Sequence, residues 1–384
     1  MSARAFLAGA VLLGLLGCST PPPAPPAAQL PWHDEVFGYD ASSVEAARNN
    51  LFTLGPDLER RLKEHAVQGL SPRQQLNYLL DLLYGTRRER FQYAAGHTTG
   101  AAETWQRRRG DCLSLAILTY AAARELRISA LMQEVDVPVL YDRRGDLDFV
   151  NRHVNVRFAR PQRILDQGWA EPQDVVVDFE PEYTSRKIGR TIDEPGILAR
   201  YYNNIATEFL AEGRKGPAYT FFKAAILADP VYAASYINLA VLYRGAAIDR
   251  DAESLLRHAV DLSDRTEVIL PLNALHSLMV AQGRGAEAQH YAQLLKAARD
   301  NDPYYWIGVG LQQLKARDYS TAVDSFERAQ EMVNGFPELH QYLAVAYWRA
   351  GKLRNANEQL ALLESLGDDA AVTGLRSKFK STAR

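Results

Sequence analysis

The chain is poor in the residues that form crosslinks and metal sites: its 384 residues include 2 cysteines, 4 methionines and 8 histidines. So few cysteines exclude a disulfide framework, and no group of histidines, cysteines and acids has metal-ligand spacing, so we expect no metal and no cofactor. Neither sign of charge dominates, with 44 basic and 46 acidic residues, which gives no indication of a nucleic-acid partner. Beyond residue 17, no apolar run is long enough to span a bilayer.

What is present at the N-terminus is typical of a secretory signal. Residues 1–20 read MSARAFLAGAVLLGLLGCST, with one arginine, a short apolar stretch and a small residue before Cys18. The sequence Leu15–Cys18 resembles the lipobox of bacterial lipoproteins. That resemblance implies a signal peptide over 1–17, a lipid on Cys18 and, from Ser19, sorting to the outer membrane. The alternative is an ordinary signal with an accidental cysteine.

Residues 18–34 are predicted to be a tether. TPPPAPPAAQLP, at 20–31, is rich in proline, which fixes the backbone in an extended form and removes hydrogen-bond donors. Such a stretch spans about 37 Å. We therefore expect a body that is lipid-anchored in the bacterial cell envelope and faces the periplasm.

A repeat with a period of 34 residues fills positions 199–370. Its five units begin near residues that recur at this spacing, with one two-residue insertion: Ala199, Ala233, Ile269, Pro303 and Pro337. Small residues at fixed offsets allow two helices to pack closely, and aromatic residues fill the gaps between helix pairs. The pattern resembles the tetratricopeptide repeat and predicts an all-α solenoid whose groove could bind a protein partner. Residues 371–384 are left as a C-terminal tail.

The first half, 35–195, contains one cysteine at the start of an apolar run. LSLAILTYAAAREL, at 113–126, is apolar almost all round and predicts a buried helix with Cys112 at its amino end. Unpaired amides and the helix dipole there favour an anion, which predicts a lowered thiol pKa. Alone, such a cysteine is more often an inert core residue.

A histidine and an aspartate on two predicted strands change that interpretation. In NRHVNVRF, alternation places Val154 on one face and His153 on the other; in DVVVDFEP, Asp178 points away from Val175 and Val177. If the two strands pair antiparallel, His153 and Asp178 are cross-strand neighbours, although Asp174 and Glu180 are nearby alternatives. Cys112, His153 and Asp178 then form a triad by role, with the Cys112 backbone N–H as the expected oxyanion donor.

The order of these residues resembles the transglutaminase-like branch of the papain superfold over about residues 85–185. The matching segments are WQRRRGDCL, RELRISALMQEV, RHVNV and VDFEP. The resemblance implies an α+β papain/transglutaminase-like domain, with Cys112 as nucleophile, His153 as general base and Asp178 as the orienting acid. It also implies a protein or peptide substrate.

Two functions follow from different classes of protein. The first is an envelope thiol enzyme, a cysteine protease, amidase or acyltransferase, that cleaves or transfers acyl groups of peptide and amide bonds. The second is a catalytically inactive transglutaminase-like fold within a periplasmic tetratricopeptide scaffold lipoprotein.

Overall fold

The computed structural model describes residues 30–64, 70–84, 91–94, 96–144, 147–158, 174–178, 189–263, 267–333, 337–366 and 369–381. Cys18 and residues 1–29 lie outside these ranges, so the predicted signal and the start of the tether do as well. Within the described ranges, no helix combines the length and the apolar character needed to cross a bilayer.

The first half is built from short helices and two sheets. Its helices are α1 (Asp34–Phe37), α2 (Ala41–Leu51), α3 (Pro56–Glu64), α4 (Pro72–Tyr84), α5 (Ala101–Arg107) and α6 (Cys112–Glu125). Its strands are β1 (Gln92–Tyr93), β2 (Arg109–Gly110), β3 (Ala130–Arg144), β4 (Leu147–Phe158), β5 (Val175–Val177) and β6 (Arg190–Ile192).

The larger sheet has the strand order β5-β4-β3-β6 and is antiparallel throughout, while β1 and β2 form a parallel pair. The register between β3 and β4 shifts between Val135 and Leu140, directly after the pair Val135–His153. Pro138 lies inside this shift and has no N–H for the ladder, which accounts for the irregularity there. Bulges of this kind often lie beside functional residues.

Helix α6 crosses the middle of the first half. Eleven of its 14 residues are buried, and it packs against β3 and β4. An apolar helix with no polar face gains most by being surrounded, so the sequence itself drives α6 into the core.

The second half consists of five antiparallel helix pairs, which confirms the predicted repeat solenoid. The first helices of the pairs are α7 (Glu194–Ala211), α9 (Ala233–Arg244), α11 (Ile269–Ala281), α13 (Pro303–Lys315) and α15 (Pro337–Arg349). The second helices are α8 (Lys215–Ala228), α10 (Asp249–Leu262), α12 (Gly285–Asp300), α14 (Tyr319–Met332) and α16 (Leu353–Ser365).

Close packing within a pair depends on a small residue facing a large one. A Cβ atom added at Gly310 would lie 2.5 Å from the ring of Phe326. The third unit has His276 and Ala292 at these two offsets, so the order of sizes is reversed there.

Most of a further helix, α17 (Asp369–Ser381), lies in the segment predicted to be a C-terminal tail, residues 371–384. Val372 and Leu375 are buried against the last repeat, and Phe379 stacks on Trp348 with ring centroids 4.8 Å apart. The apolar positions 372, 375 and 379 lie on one face of a helix, and α17 thereby covers the apolar end of the array.

The two halves share one hydrophobic core. The cluster of buried side chains that includes Leu30 and Ile117 continues into the repeats as far as Leu295. In addition, β6, which pairs with β3, contacts helix α7 of the first repeat, and β3 contacts helix α13 of the fourth repeat.

Candidate functional site

Cys112 is the first residue of α6, and the preceding residue caps that helix. The Asp111 carboxylate accepts hydrogen bonds from the Ser114 backbone N–H at 2.7 Å and from the Ser114 hydroxyl at 2.6 Å. These bonds satisfy an amide that the helix cannot pair itself, so the start of α6 is fixed at Asp111. Cys112 therefore has a defined place at the helix end.

His153 and Asp178 meet across neighbouring strands. Strands β4 and β5 pair antiparallel, with Val156 opposite Val177. One residue further on, Asp178 Oδ1 lies 2.7 Å from His153 Nε2. Both side chains are almost fully buried, at 2% and 8% exposure, so water competes little for this bond.

The alternative acids do not occupy this position. Asp174 Oδ2 accepts a hydrogen bond from Arg157 Nη1 at 3.1 Å, on the far end of the paired segment. Glu180 lies outside the described residues.

The imidazole of His153 is near enough to Cys112 to favour the thiolate. The net pKa shift of Cys112 is nevertheless upward, first because burial penalises the charged form and also because the Asp111 carboxylate is close. This direction is opposite to that predicted from the helix end. The reason is that the thiol is only 8% exposed, so loss of solvation exceeds the effects that favour the anion.

Sequence reasoning missed the partner that holds the second carboxylate oxygen. Asn155 Nδ2 donates to Asp178 Oδ2 at 3.1 Å, and Asn155 is completely buried. It lies on the same strand face as His153, two positions along β4, and that spacing is a signal for a shared partner. His153 and Asn155 together orient the Asp178 carboxylate.

Two of the three arginines before Cys112, Arg107 and Arg108, have side-chain partners within the protein. Arg107 pairs with Glu103 at 2.8 Å, and the Arg108 guanidinium lies 3.6 Å from the centre of the Trp105 ring. The Trp105 indole in turn donates to Asp57 at 3.2 Å. These contacts account for the two arginines and for Trp105 as parts of the packing around α5.

Among the described residues, no group of three His, Cys, Asp or Glu side chains could hold a metal ion. The arrangement that remains is a buried thiol near an imidazole, with the imidazole hydrogen-bonded to a carboxylate that an amide also holds. Chemically, it can transfer a proton between sulfur and the imidazole while the carboxylate fixes the ring.

The chain matches no protein-family model. It also matches no curated protein.

Solved structures similar to this chain are tetratricopeptide-type proteins. The Cut9–Hcn1 hetero-tetramer of the APC/C is 19% identical over 47% of this chain, with a TM-score of 0.25, and the chain spans 37% of it. YrrB, described as a TPR protein with an unusual peptide-binding site, is 18% identical over 47% of this chain and 92% of its own, with a TM-score of 0.25. PilF of Pseudomonas aeruginosa is 16% identical over 49% of this chain and 90% of its own, with a TM-score of 0.26.

Proposed function

We propose that this protein is a lipid-anchored thiol enzyme of transglutaminase-like type that acts on peptide or amide bonds. The observation that carries the proposal is the hydrogen bond between the His153 imidazole and the Asp178 carboxylate, with the ring near enough to Cys112 to favour its thiolate. A nucleophile, a base and an orienting acid in this order are what acyl transfer through a thiol requires.

The raised pKa of Cys112 makes the resting thiol neutral, so its proton leaves during attack. His153 takes the S–H proton as sulfur bonds to the acyl carbon, and the carbonyl becomes an oxyanion near the Cys112 backbone N–H. The C–N bond then breaks, and the imidazolium gives its proton to the leaving amine. Water, deprotonated by His153, attacks the thioester and releases the acid and the thiol.

Asp178 orients the imidazole of His153, the general base. Because its Oδ1 engages His153 Nε2, Nδ1 is the nitrogen that can exchange a proton with sulfur. The carboxylate also stabilises the imidazolium that forms during attack. An amine acceptor in place of water would turn the same site from hydrolysis to transfer.

The second candidate is a catalytically inactive domain within a repeat scaffold. One observation favours it: a thiol with 8% exposure is poorly accessible to a substrate the size of a polypeptide. The repeat array would then carry the function by binding a protein partner along its stacked helices. In this case Cys112→Ala leaves cellular function intact, while changes in the array abolish it.

We also propose that Cys18 carries the lipid and holds the protein in the cell envelope, at the outer membrane. The basis is the sequence LLGC followed by the proline-rich tether. Metabolic labelling with a palmitate analogue tests this: the wild-type protein should incorporate label, and Cys18→Ala should not. Label that persists in Cys18→Ala would contradict the proposal.

The thiol chemistry is tested by the rate of alkylation with iodoacetamide between pH 5 and 9, read at the Cys112 peptide by mass spectrometry. We expect the native protein at pH 6 to react at least about tenfold faster than His153→Ala, because a positioned base contributes factors of this size or more. Urea-unfolded protein gives the rate of an ordinary thiol. Equal rates in wild type and His153→Ala would refute the enzyme proposal and leave the scaffold.

A further inference from the structure

A short loop, residues 96–100, connects the first repeat to the cap of the Cys112 helix. On one side, the Thr98 backbone N–H donates to Glu208 Oε1 of α7 at 2.6 Å, and Asn204 Nδ2 of α7 donates to Thr98 Oγ1 at 3.1 Å. On the other side, the Thr98 hydroxyl donates to Asp111 Oδ2 in a short hydrogen bond. Thr98 thus joins two helices that are far apart in the sequence.

The connection ends at the residue before Cys112. The two oxygens of the Asp111 carboxylate are divided: Oδ1 holds the first turn of α6 through Ser114, and Oδ2 holds Thr98. The next backbone N–H of the loop, that of Thr99, donates to the Ser114 hydroxyl at 2.8 Å. A displacement of the loop therefore moves the cap and the first turn, and Cys112 is part of that turn.

The bonds among Thr98, Asp111 and Ser114 are buried, so they are not exchanged readily for water. Thr98, Asp111 and Ser114 are 5%, 6% and 0% exposed. Burial raises the pKa of Glu208, although its hydrogen bonds to Thr98 and His97 partly oppose this effect. Leaving any of these polar groups without its partner would be costly.

We propose that Asn204 and Glu208 of the first repeat are positioning residues for the Cys112 site, acting through Thr98 and the Asp111 cap. The inference rests on the proposed thiol function and extends it: the repeat array is a structural part of the site. A protein partner that shifts α7 would change the reactivity of the thiol through this connection.

The test measures the rate of Cys112 alkylation in the full-length protein as a function of pH. The relevant quantity is the part of that rate that is lost in His153→Ala. In Glu208→Ala, Thr98 N–H loses its acceptor, and we expect that rate at pH 7 to fall about tenfold, the factor that corresponds to one unit of pKa. Glu208→Gln keeps an oxygen for Thr98 and should restore most of the rate. Likewise, Thr98→Val should lower the rate and Thr98→Ser should retain it.

Two controls separate positioning from stability. Glu212→Ala removes an exposed carboxylate from the end of the same helix and should leave the profile unchanged. Leu363→Ala opens the buried core of the fifth repeat, far from the loop, and supplies a destabilised reference. A lowered rate in Glu208→Ala and Thr98→Val, with rescue by the conservative variants and a normal profile in both controls, supports the inference.

Other outcomes overturn it in distinguishable ways. If Glu208→Ala and Thr98→Val keep the wild-type profile while His153→Ala loses it, the positioning role is refuted and the thiol function stands. If Leu363→Ala loses as much as Glu208→Ala, general stability explains the effect and the inference is refuted. If His153→Ala matches wild type, the thiol function and the positioning role are both refuted.

Discussion

Exchanging the acid for its amide at position 178 tests the buried hydrogen bonds around His153. In the wild type, both oxygens of Asp178 accept, one from His153 and the other from Asn155. An asparagine at 178 has a single acceptor, so Asp178→Asn turns its amide group towards one of two donors. One buried donor is then left without an acceptor.

The magnitude follows from this mismatch. A buried polar group that loses its partner costs about 1–3 kcal/mol, and the lost bonds are to a charged acceptor. We therefore expect Asp178→Asn to lower the free energy of unfolding by about 2 kcal/mol. Asn155→Asp alone should also destabilise, because it places two carboxylates against each other.

The double variant Asp178→Asn with Asn155→Asp restores the pattern of donors and acceptors. The amide at 178 can then accept from His153 and donate to the carboxylate at 155. We expect the double variant to be more stable than the sum of the single changes predicts, by at least about 1 kcal/mol.

The assay is urea unfolding followed by circular dichroism at pH 7, for all four members of the cycle. Additive effects, or Asp178→Asn with wild-type stability, would show that the hydrogen bonds at Asp178 do not stabilise the fold.

Three further predictions concern packing and pH. Gly310→Ala should destabilise the protein by about 1–3 kcal/mol because the new methyl group meets the Phe326 ring. Gly308→Ala on the same helix, where a Cβ meets nothing within 4 Å, should be neutral or stabilising. The urea midpoints of the two variants test this difference. Phe379→Ala removes the ring that stacks on Trp348 and should lower the free energy of unfolding by at least about 0.5–1.5 kcal/mol, measured by thermal unfolding. An unchanged midpoint would mean that α17 does not stabilise the last repeat. Burial raises the pKa of Glu208 above its ordinary 4.5, so its contribution to stability is largest below pH 4.5 and is lost as pH rises through the higher folded value. Glu208→Gln should therefore lose less stability than wild type between pH 4.5 and pH 7. An equal loss would contradict this.

Features that leave a regular pattern along the chain could be predicted from the sequence. The spacing of small residues predicted the repeats, and the apolar run at 113–126 predicted a helix that the structure has at Cys112–Glu125. Alternation likewise predicted which strand faces His153 and Asp178 occupy, because side chains alternate between the two faces of a strand. The structure has His153 on β4 and Asp178 directly after the paired strand β5, and it joins them by a hydrogen bond.

Features that depend on distant contacts could not be predicted in this way. The pKa direction of Cys112 depends on how completely the surrounding elements cover it, and no local pattern reports that cover. The bond between Thr98 and Glu208 joins positions 110 residues apart and involves residue types common on any surface. By contrast, the apolar spacing in α17 and Pro138 within β3 were local signals present in the sequence.

The core that is continuous between the two halves couples their movements. Domains joined by a thin polar linker can rotate independently, but halves that share buried apolar side chains can separate only by exposing them to water. A protein that pulls on the first repeats therefore pulls on the sheet as well. Two fragments separated near residue 195 would each expose apolar surface and would tend to aggregate, so neither would fold as an independent domain.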